Sequence, residues 1–283
     1  MKSLRILIAT HSPLASSFGA GQMAINLANA FREQGHEVTL WSPYPMPNKA
    51  RWWQNFQRVC SMRTKLDEFL ATQQSFDIVD CPPMLITKRV GRSAIVVARS
   101  VQPDVSYIAS SLNNPTKLKD LVILPLSYLF ALLKILLILQ GWKRANFILC
   151  LGSLELESME KGCPWWRDKL ISYNNALSKS DQVELARVRL NRKENRKEEI
   201  RFLWIGRWVS HKGIKELANF VVKRAASNPQ DSFTVAGCGS LAEKSFPSEL
   251  TQIGRVRILP FFDRSELSSL LAEHDIGLFT SRV

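Results

Sequence analysis

Two cations, Arg207 and Lys212, follow a short apolar run at 202–205 and stand between Gly206 and Gly213. The run predicts a buried strand, and the apolar residues after Gly213 predict a helix. A strand, a cationic loop and a helix N-terminus are how an α/β protein binds an anionic group at the carboxyl edge of its sheet. Arginine offers phosphate a planar fork, and lysine a compact charge. The pattern favours a phosphate site, with two solvated surface cations as the alternative.

Composition indicates a globular chain without a disulfide framework or a metal site. At about 150 residues per domain, 283 residues suggest two domains. The hydrophobic fraction of 46% and the charged fraction of 22% are those of a chain with a real core. The five cysteines are scattered without a CxxC pair, and the four histidines lack metal-ligand spacing. We therefore expect reduced thiols, a cytoplasmic protein and no signal peptide.

The net charge of +13 favours an acidic partner. Nucleic acid, anionic lipid and phosphorylated substrates are the classes that fit. Basic residues are mixed with acids in most places, and we find no RNA-binding aromatic motif and no basic helix with base-reading spacing. Nucleic acid is therefore the partner that the sequence disfavours most.

The N-terminal part predicts a parallel βα array that opens with a strand at 4–9, a loop and helix, and a strand at 36–41. Gly19, Ala20 and Gly21 begin a segment that matches the dinucleotide motif G-x-G-x-x-A. NAD is disfavoured, because the glycines lie well beyond the strand and the second strand ends without an acid for a ribose. Glycines at a helix N-terminus can still let a substrate approach closely, with a plain flexible loop as the alternative.

Arg99 and Ser100 are candidate ligand contacts at a strand end. They follow a predicted strand at 94–98, at the edge where α/β sheets place ligand-binding residues. A buried structural arginine is the competing interpretation. The other strands predicted in this half lie at 76–80, 147–151 and 169–173.

Residues 121–139 form the most apolar run and nearly reach the ~20 residues that span a bilayer. Pro125, Ser127 and Lys134 weaken a transmembrane interpretation. A span would also put successive strands of one sheet on opposite sides of a membrane. We therefore favour a core helix or an interfacial helix.

The second half repeats the βα pattern after a charged segment. We expect a first domain at 1–177, a charged linker with some helix at 178–200 and a second domain at 201–283. Strands of the second domain are predicted at 202–205, 233–236, 256–259 and 276–279.

Six motifs in fixed order carry a family resemblance. They are Phe18-Gly19-Ala20-Gly21, Gly35-His36-Glu37-Val38, a hinge at 171–177, G-R-x-x-x-x-K-G from Gly206 to Gly213, and Gly237-Cys238-Gly239-Ser240 before Phe279-Thr280-Ser281-Arg282. In this order they resemble glycosyltransferase family 4, a retaining, nucleotide-sugar-dependent group. The resemblance covers nearly the whole chain and implies two Rossmann-like domains, the glycosyltransferase-B fold.

The resemblance implies a donor site that needs no metal and no other cofactor. Arg207 and Lys212 would hold the diphosphate of a UDP- or GDP-linked sugar, and the acceptor would be a saccharide or a lipid-linked saccharide. The remaining implied site residues are donor-side Gly206, Gly213, Gly237, Gly239 and Ser281, cleft residues Gly19, Ala20 and Gly21, and the sugar or acceptor contacts Arg99 and Ser100.

Two departures from the family bear on activity. Val101 stands where many members have a histidine, and valine cannot make that residue's polar contacts. The family's E-x7-E motif would follow the segment that ends at Arg282, so we expect an incomplete second domain, impaired transfer and no assignable catalytic residue. A non-catalytic remnant that binds a membrane or a partner is the alternative.

We also expect peripheral attachment to the inner face of a membrane. Tryptophan suits the headgroup region, and basic residues near the surface favour anionic lipid. The residues behind this expectation are the apolar run with Lys117, Lys119, Lys143 and Arg144, and the pairs Trp52-Trp53 and Trp165-Trp166.

Overall fold

The computed structural model describes residues 2–15, 18–44, 54–92, 95–101, 104–105, 107–108, 118–175, 177–191 and 199–281. The chain divides into two compact units, Met1–Ala176 and Leu177–Val283. Each unit has its own parallel sheet with helices between successive strands. The predicted α/β class is therefore confirmed.

The first unit is built on a six-stranded parallel sheet with the order β2-β1-β3-β4-β5-β6. Its strands are continuous apolar runs because helices cover the sheet. The strands are β1 Arg5–Ala9, β2 Glu37–Trp41, β3 Ile78–Cys81, β4 Ile95–Arg99, β5 Phe147–Leu151 and β6 Leu170–Tyr173.

Among the described residues of the first unit, helices α1 Gly19–Glu33, α2 Gln54–Thr72, α3 Leu118–Arg144 and α4 Gly152–Gly162 lie between these strands. Helix α1 buries small residues, Ala24 and Ala28, against Ile6 and Ile8 of β1. Helix α3 contains the apolar run and joins β4 to its neighbour β5. The carboxyl ends of β1, β3 and β4 therefore lie side by side at one edge.

The second unit has a four-stranded parallel sheet with the order β10-β7-β8-β9. Its strands are β7 Arg201–Ile205, β8 Ser232–Ala236, β9 Val256–Leu259 and β10 Ile276–Gly277. Its helices are α5 Lys179–Asn191, α6 Ile214–Ser227, α7 Ser248–Gln252 and α8 Leu267–Glu273. Aromatic rings dominate the core, where Phe202 and Phe233 stack with ring centroids 5.1 Å apart.

The predicted linker contains helix α5. This helix contacts α8, and Arg264 Nη2 donates a 2.6 Å hydrogen bond to Asp181 Oδ2. Hydrogen bonds from Arg264 and Ser178 lower the pKa of Asp181. Residues 192–198 of the linker lie outside the described residues.

Candidate functional site

Backbone hydrogen bonds determine the shape of the cationic loop of the second unit, residues 206–213. Gly206 N donates to Ala236 O of β8 (3.0 Å), so the chain leaves the sheet only after Gly206. Val209 N then donates to Arg207 O (2.8 Å) and Lys212 N to Val209 O (2.9 Å). Arg207 and Lys212 thus stand at the two ends of a compact turn, between a strand end and the N-terminus of α6.

Gly213 lets this turn approach the segment that follows β10. Its φ of +66° is the left-handed conformation that favours glycine. A Cβ at this position would lie 1.9 Å from Thr280 O. Any side chain at position 213 would therefore be excluded both by conformation and by space.

Thr280 connects the strand to the loop through one hydroxyl. Trp204 Nε1 donates to Thr280 Oγ1 (3.0 Å), and that hydroxyl donates to Lys212 O (2.7 Å). Trp204 is only 3% exposed. The hydroxyl therefore fixes the backbone of Lys212 relative to β7. The family resemblance implies no role for Thr280 or Trp204, whereas the neighbouring Ser281, which it places on the donor side, is exposed.

The two predicted cations have no anionic partner within the described part of the chain. Arg207 is exposed and Lys212 is half-buried, and neither side chain makes a hydrogen bond or ion pair to a described residue. By contrast, the other arginines between positions 199 and 281 have carboxylate or carbonyl partners: Arg201, Arg224, Arg255, Arg257 and Arg264.

The electrostatic field of the loop is positive. Burial lowers the pKa of His211, and the charges of Lys212 and Arg207 lower it further. Both cations therefore act on the same imidazole and disfavour its protonation. Cations near a helix N-terminus form a site suited to an anion.

The glycine loop after β8 contributes less than its motif predicts. Gly237 N donates to Leu259 O (2.8 Å) and Gly239 N to Pro260 O (2.9 Å). These two amides already have partners, so they are not available to donate to a ligand. The loop can still leave space for one. In the described residues, no group of three or more His, Cys, Asp or Glu side chains could hold a metal ion.

In the first unit, Arg99 is buried and ion-paired. Its Nε donates to Asp80 Oδ1 (2.9 Å) and Oδ2 (3.1 Å), and its guanidinium lies 4.9 Å from the centre of the Tyr173 ring. Burial lowers the pKa of Arg99, but Asp80 and Tyr173 more than offset this and raise it. These contacts favour the structural-arginine interpretation, and a contact with sugar or acceptor stays a prediction.

Ser100 belongs to a buried polar network that the sequence did not predict. Its Oγ donates to Glu155 Oε1 (2.6 Å), and Leu151 N donates to the same carboxylate. Burial raises the pKa of Glu155, while these two hydrogen bonds oppose the rise. Burial, and secondarily the charge of Glu155, raises the pKa of Asp104 to about 8. Asp104 Oδ2 has no hydrogen-bond partner among the described residues.

The glycines at the start of α1 differ in what surrounds them. A Cβ on Gly21 would lie 2.0 Å from Pro13 O, whereas one on Gly19 would meet nothing within 4 Å. Gly21 therefore serves the packing of its own loop, and only Gly19 leaves open space. The cavity beneath Ala20, next to Asp80 and Arg99, has a volume of about 10 Å³, which is too small for a sugar.

Two parallel sheets in two units, each with loops at the carboxyl ends of its strands, define the glycosyltransferase-B fold. Comparison with solved structures confirms this fold. Starch synthase IV from Arabidopsis thaliana, bound to ADP and acarbose, matches with a TM-score of 0.63 and 12% identity over 99% of this chain and 79% of that one. No protein-family model and no curated protein matches the chain.

Two further solved structures are similar. A UDP-forming trehalose-phosphate synthase from Burkholderia xenovorans has a TM-score of 0.60 and 11% identity over 99% of this chain and 78% of that one. An α-glucosyltransferase in complex with UDP and a 13-mer DNA has a TM-score of 0.53 and 17% identity over 100% of this chain and 73% of that one. At these identities the likeness establishes the fold alone.

Proposed function

We propose that this protein binds a nucleotide-sugar and transfers its sugar to an acceptor. The observation that carries the proposal is the cationic turn, where Arg207 and Lys212 have no anionic partner among the described residues and stand at the two ends of the turn that leads into helix α6. The fold adds support, since the similar starch synthase was solved with ADP and the similar α-glucosyltransferase with UDP. We therefore assign the diphosphate of the donor to this turn.

The turn would act on the leaving group. As the bond between sugar and phosphate breaks, negative charge grows on the diphosphate, and two fixed cations stabilise that charge without a metal. Thr280 holds the backbone of Lys212, so little reorganisation is needed at that moment.

We assign the chain to family 4 from the order of its motifs, and with that assignment we propose retention of the anomeric configuration. A saccharide or a lipid-linked saccharide is the proposed acceptor. One structural neighbour was solved with DNA, but the mixing of acids with bases in this chain makes a nucleic-acid partner the weaker choice.

The test is nucleotide binding by an Arg207→Ala/Lys212→Ala variant. Each charge-assisted hydrogen bond contributes roughly 1.5–3 kcal/mol, so isothermal titration should show UDP or GDP binding weakened by about tenfold or more. The matched control is Lys223→Ala/Arg257→Ala, which removes the same charge from exposed positions of the same unit.

If both double variants lose the same nucleotide affinity, the loss comes from the net charge of the protein and not from this site. Unchanged affinity in Arg207→Ala/Lys212→Ala would refute the site. Release of UDP or GDP from a nucleotide-sugar in the presence of saccharide acceptors measures the reaction itself. Donor binding without any transfer would favour the non-catalytic alternative.

A further inference from the structure

Helix α3 presents a row of exposed leucines. Leu126, Leu129, Leu132 and Leu136 are each 43–53% exposed. Spacings of three and four residues put them on one face of the helix. We call these four residues the α3 stripe. Lys134 is the one charged residue between positions 125 and 142. By the periodicity of the α-helix, it lies on a different side of the helix from the α3 stripe.

The other face of α3 belongs to the core of the first unit. Ala131, Ile138 and Trp142 are buried, and the Trp142 ring lies 5.6 Å from that of Trp166. The helix also connects β4 to β5, which are paired neighbours in the sheet. The segment Pro125–Arg144 is long and apolar enough to cross a membrane, with a mean hydropathy of 1.5. Crossing would require these paired strands to separate, so the geometry favours a helix that lies along a surface.

Basic and aromatic side chains cluster at the C-terminal end of α3. Lys143 is exposed and stands seven residues after Leu136, which puts it on the face of the stripe. Lys169 Nζ donates to Ala145 O (2.7 Å), which holds the turn Pro164–Lys169 beside this end. That turn carries Trp165, 69% exposed, and Arg167, whose side chain is 71% exposed and forms a 3.7 Å surface ion pair with Glu160. A pair this exposed is weak, so a lipid phosphate can replace Glu160 as the partner of Arg167.

Only part of the predicted membrane-binding set can be placed. Trp52, Trp53 and Lys117 lie outside the described residues. Of the second tryptophan pair, Trp165 is exposed as predicted, but Trp166 is half-buried because it packs against Trp142. The interaction surface is therefore the α3 stripe with Lys143, Trp165 and Arg167.

We propose that this surface docks on an anionic lipid bilayer, with the stripe at the level of the headgroups and the cations on lipid phosphates. Charge complementarity selects lipid as the partner: the chain carries +13, and an exposed tryptophan stands beside exposed cations at the end of an apolar stripe. Docking is independent of the cationic turn, which lies in the other unit. Sugar transfer and membrane docking can therefore fail separately.

The test is co-sedimentation of the full chain with vesicles. The chain should bind vesicles that contain phosphatidylglycerol more strongly than vesicles of phosphatidylcholine alone. Its binding to the phosphatidylglycerol vesicles should weaken as the salt concentration increases. Leu129→Gln/Leu136→Gln should weaken binding by about tenfold or more, because two leucines would no longer leave water. Lys143→Glu should weaken binding to the anionic vesicles only.

The matched control is Leu154→Gln/Leu190→Gln, which changes two leucines that are 81% and 83% exposed elsewhere. It should bind vesicles like the wild type, and all variants should show the same circular dichroism spectrum. Equal loss in both double variants, or no vesicle binding by the wild type, would overturn the proposal. So would resistance to carbonate extraction, which indicates a span. If the wild type associates with itself but does not bind vesicles, and only Leu129→Gln/Leu136→Gln abolishes that self-association, the stripe is instead an interface between protein chains.

Discussion

Thr280→Val tests whether one hydroxyl holds the cationic turn in place. Valine has nearly the shape of threonine, so the packing against Gly213 is kept while two hydrogen bonds are lost. Trp204 Nε1 would be left buried without its acceptor, which costs about 1–3 kcal/mol. Lys212 O would lose its donor, at about 0.5–1.5 kcal/mol. We expect the second unit to lose about 2–4 kcal/mol of unfolding free energy.

Hydrogen exchange measured by mass spectrometry is the suitable assay, because it reports on each unit separately. A loss of about 2–4 kcal/mol should accelerate exchange across β7 and the turn by about 30-fold or more. Thr280→Ser is the control, since it keeps the hydroxyl and should exchange close to wild type. UDP affinity should fall in the valine variant, because Lys212 is no longer fixed. Valine and serine variants that exchange alike would refute the reasoning.

Two further predictions concern the first unit. Arg99→Ala should destabilise it by about 3–5 kcal/mol in urea titrations, because Asp80 would stay buried without its partner. A variant with wild-type stability but without activity would instead support the prediction that Arg99 contacts sugar or acceptor. Asp104→Asn should stabilise the unit increasingly as pH rises. The pKa of Asp104 is about 8 in the fold and ordinarily 3.8, so the folded state keeps a proton that the unfolded chain releases between these values. The difference in unfolding free energy between Asp104→Asn and the wild type should grow by at most about 1.4 kcal/mol per pH unit from about pH 4 to 8. A difference that stays constant in urea titrations at pH 4.5, 6 and 8 would contradict this prediction.

The strands were the most predictable part of the molecule. The run at 147–151 coincides with β5, and the one at 256–259 with β9. Parallel strands covered by helices are apolar on both faces, so the pattern is continuous and its ends are marked by polar residues or glycine. The last strand is shorter than predicted, because only Ile276 and Gly277 pair with β7.

The side-chain partners at the sites were not predictable in the same way. Asp80 is the residue before the last in β3 and Arg99 ends the neighbouring strand β4, and that adjacency could have suggested their ion pair. Glu155 gives no comparable signal, because its bond to Ser100 depends on how helix α4 starts after β5. The turn with Arg207 was predicted from local residues alone. Its support by Thr280 was not, because Trp204 and Thr280 are 76 residues apart.

The pairing of β10 with β7 determines when the cationic turn can take shape. Trp204 and Thr280 are 76 residues apart, and β8, β9 and helix α8 lie between them in the chain. Closing such a long loop is slow and comes late in folding. The two-residue strand β10 is also held by few bonds, and such segments open first. If the turn binds an anion only while β10 is docked, the docked fraction would multiply that affinity, and a bound anion would in turn stabilise the edge of the sheet.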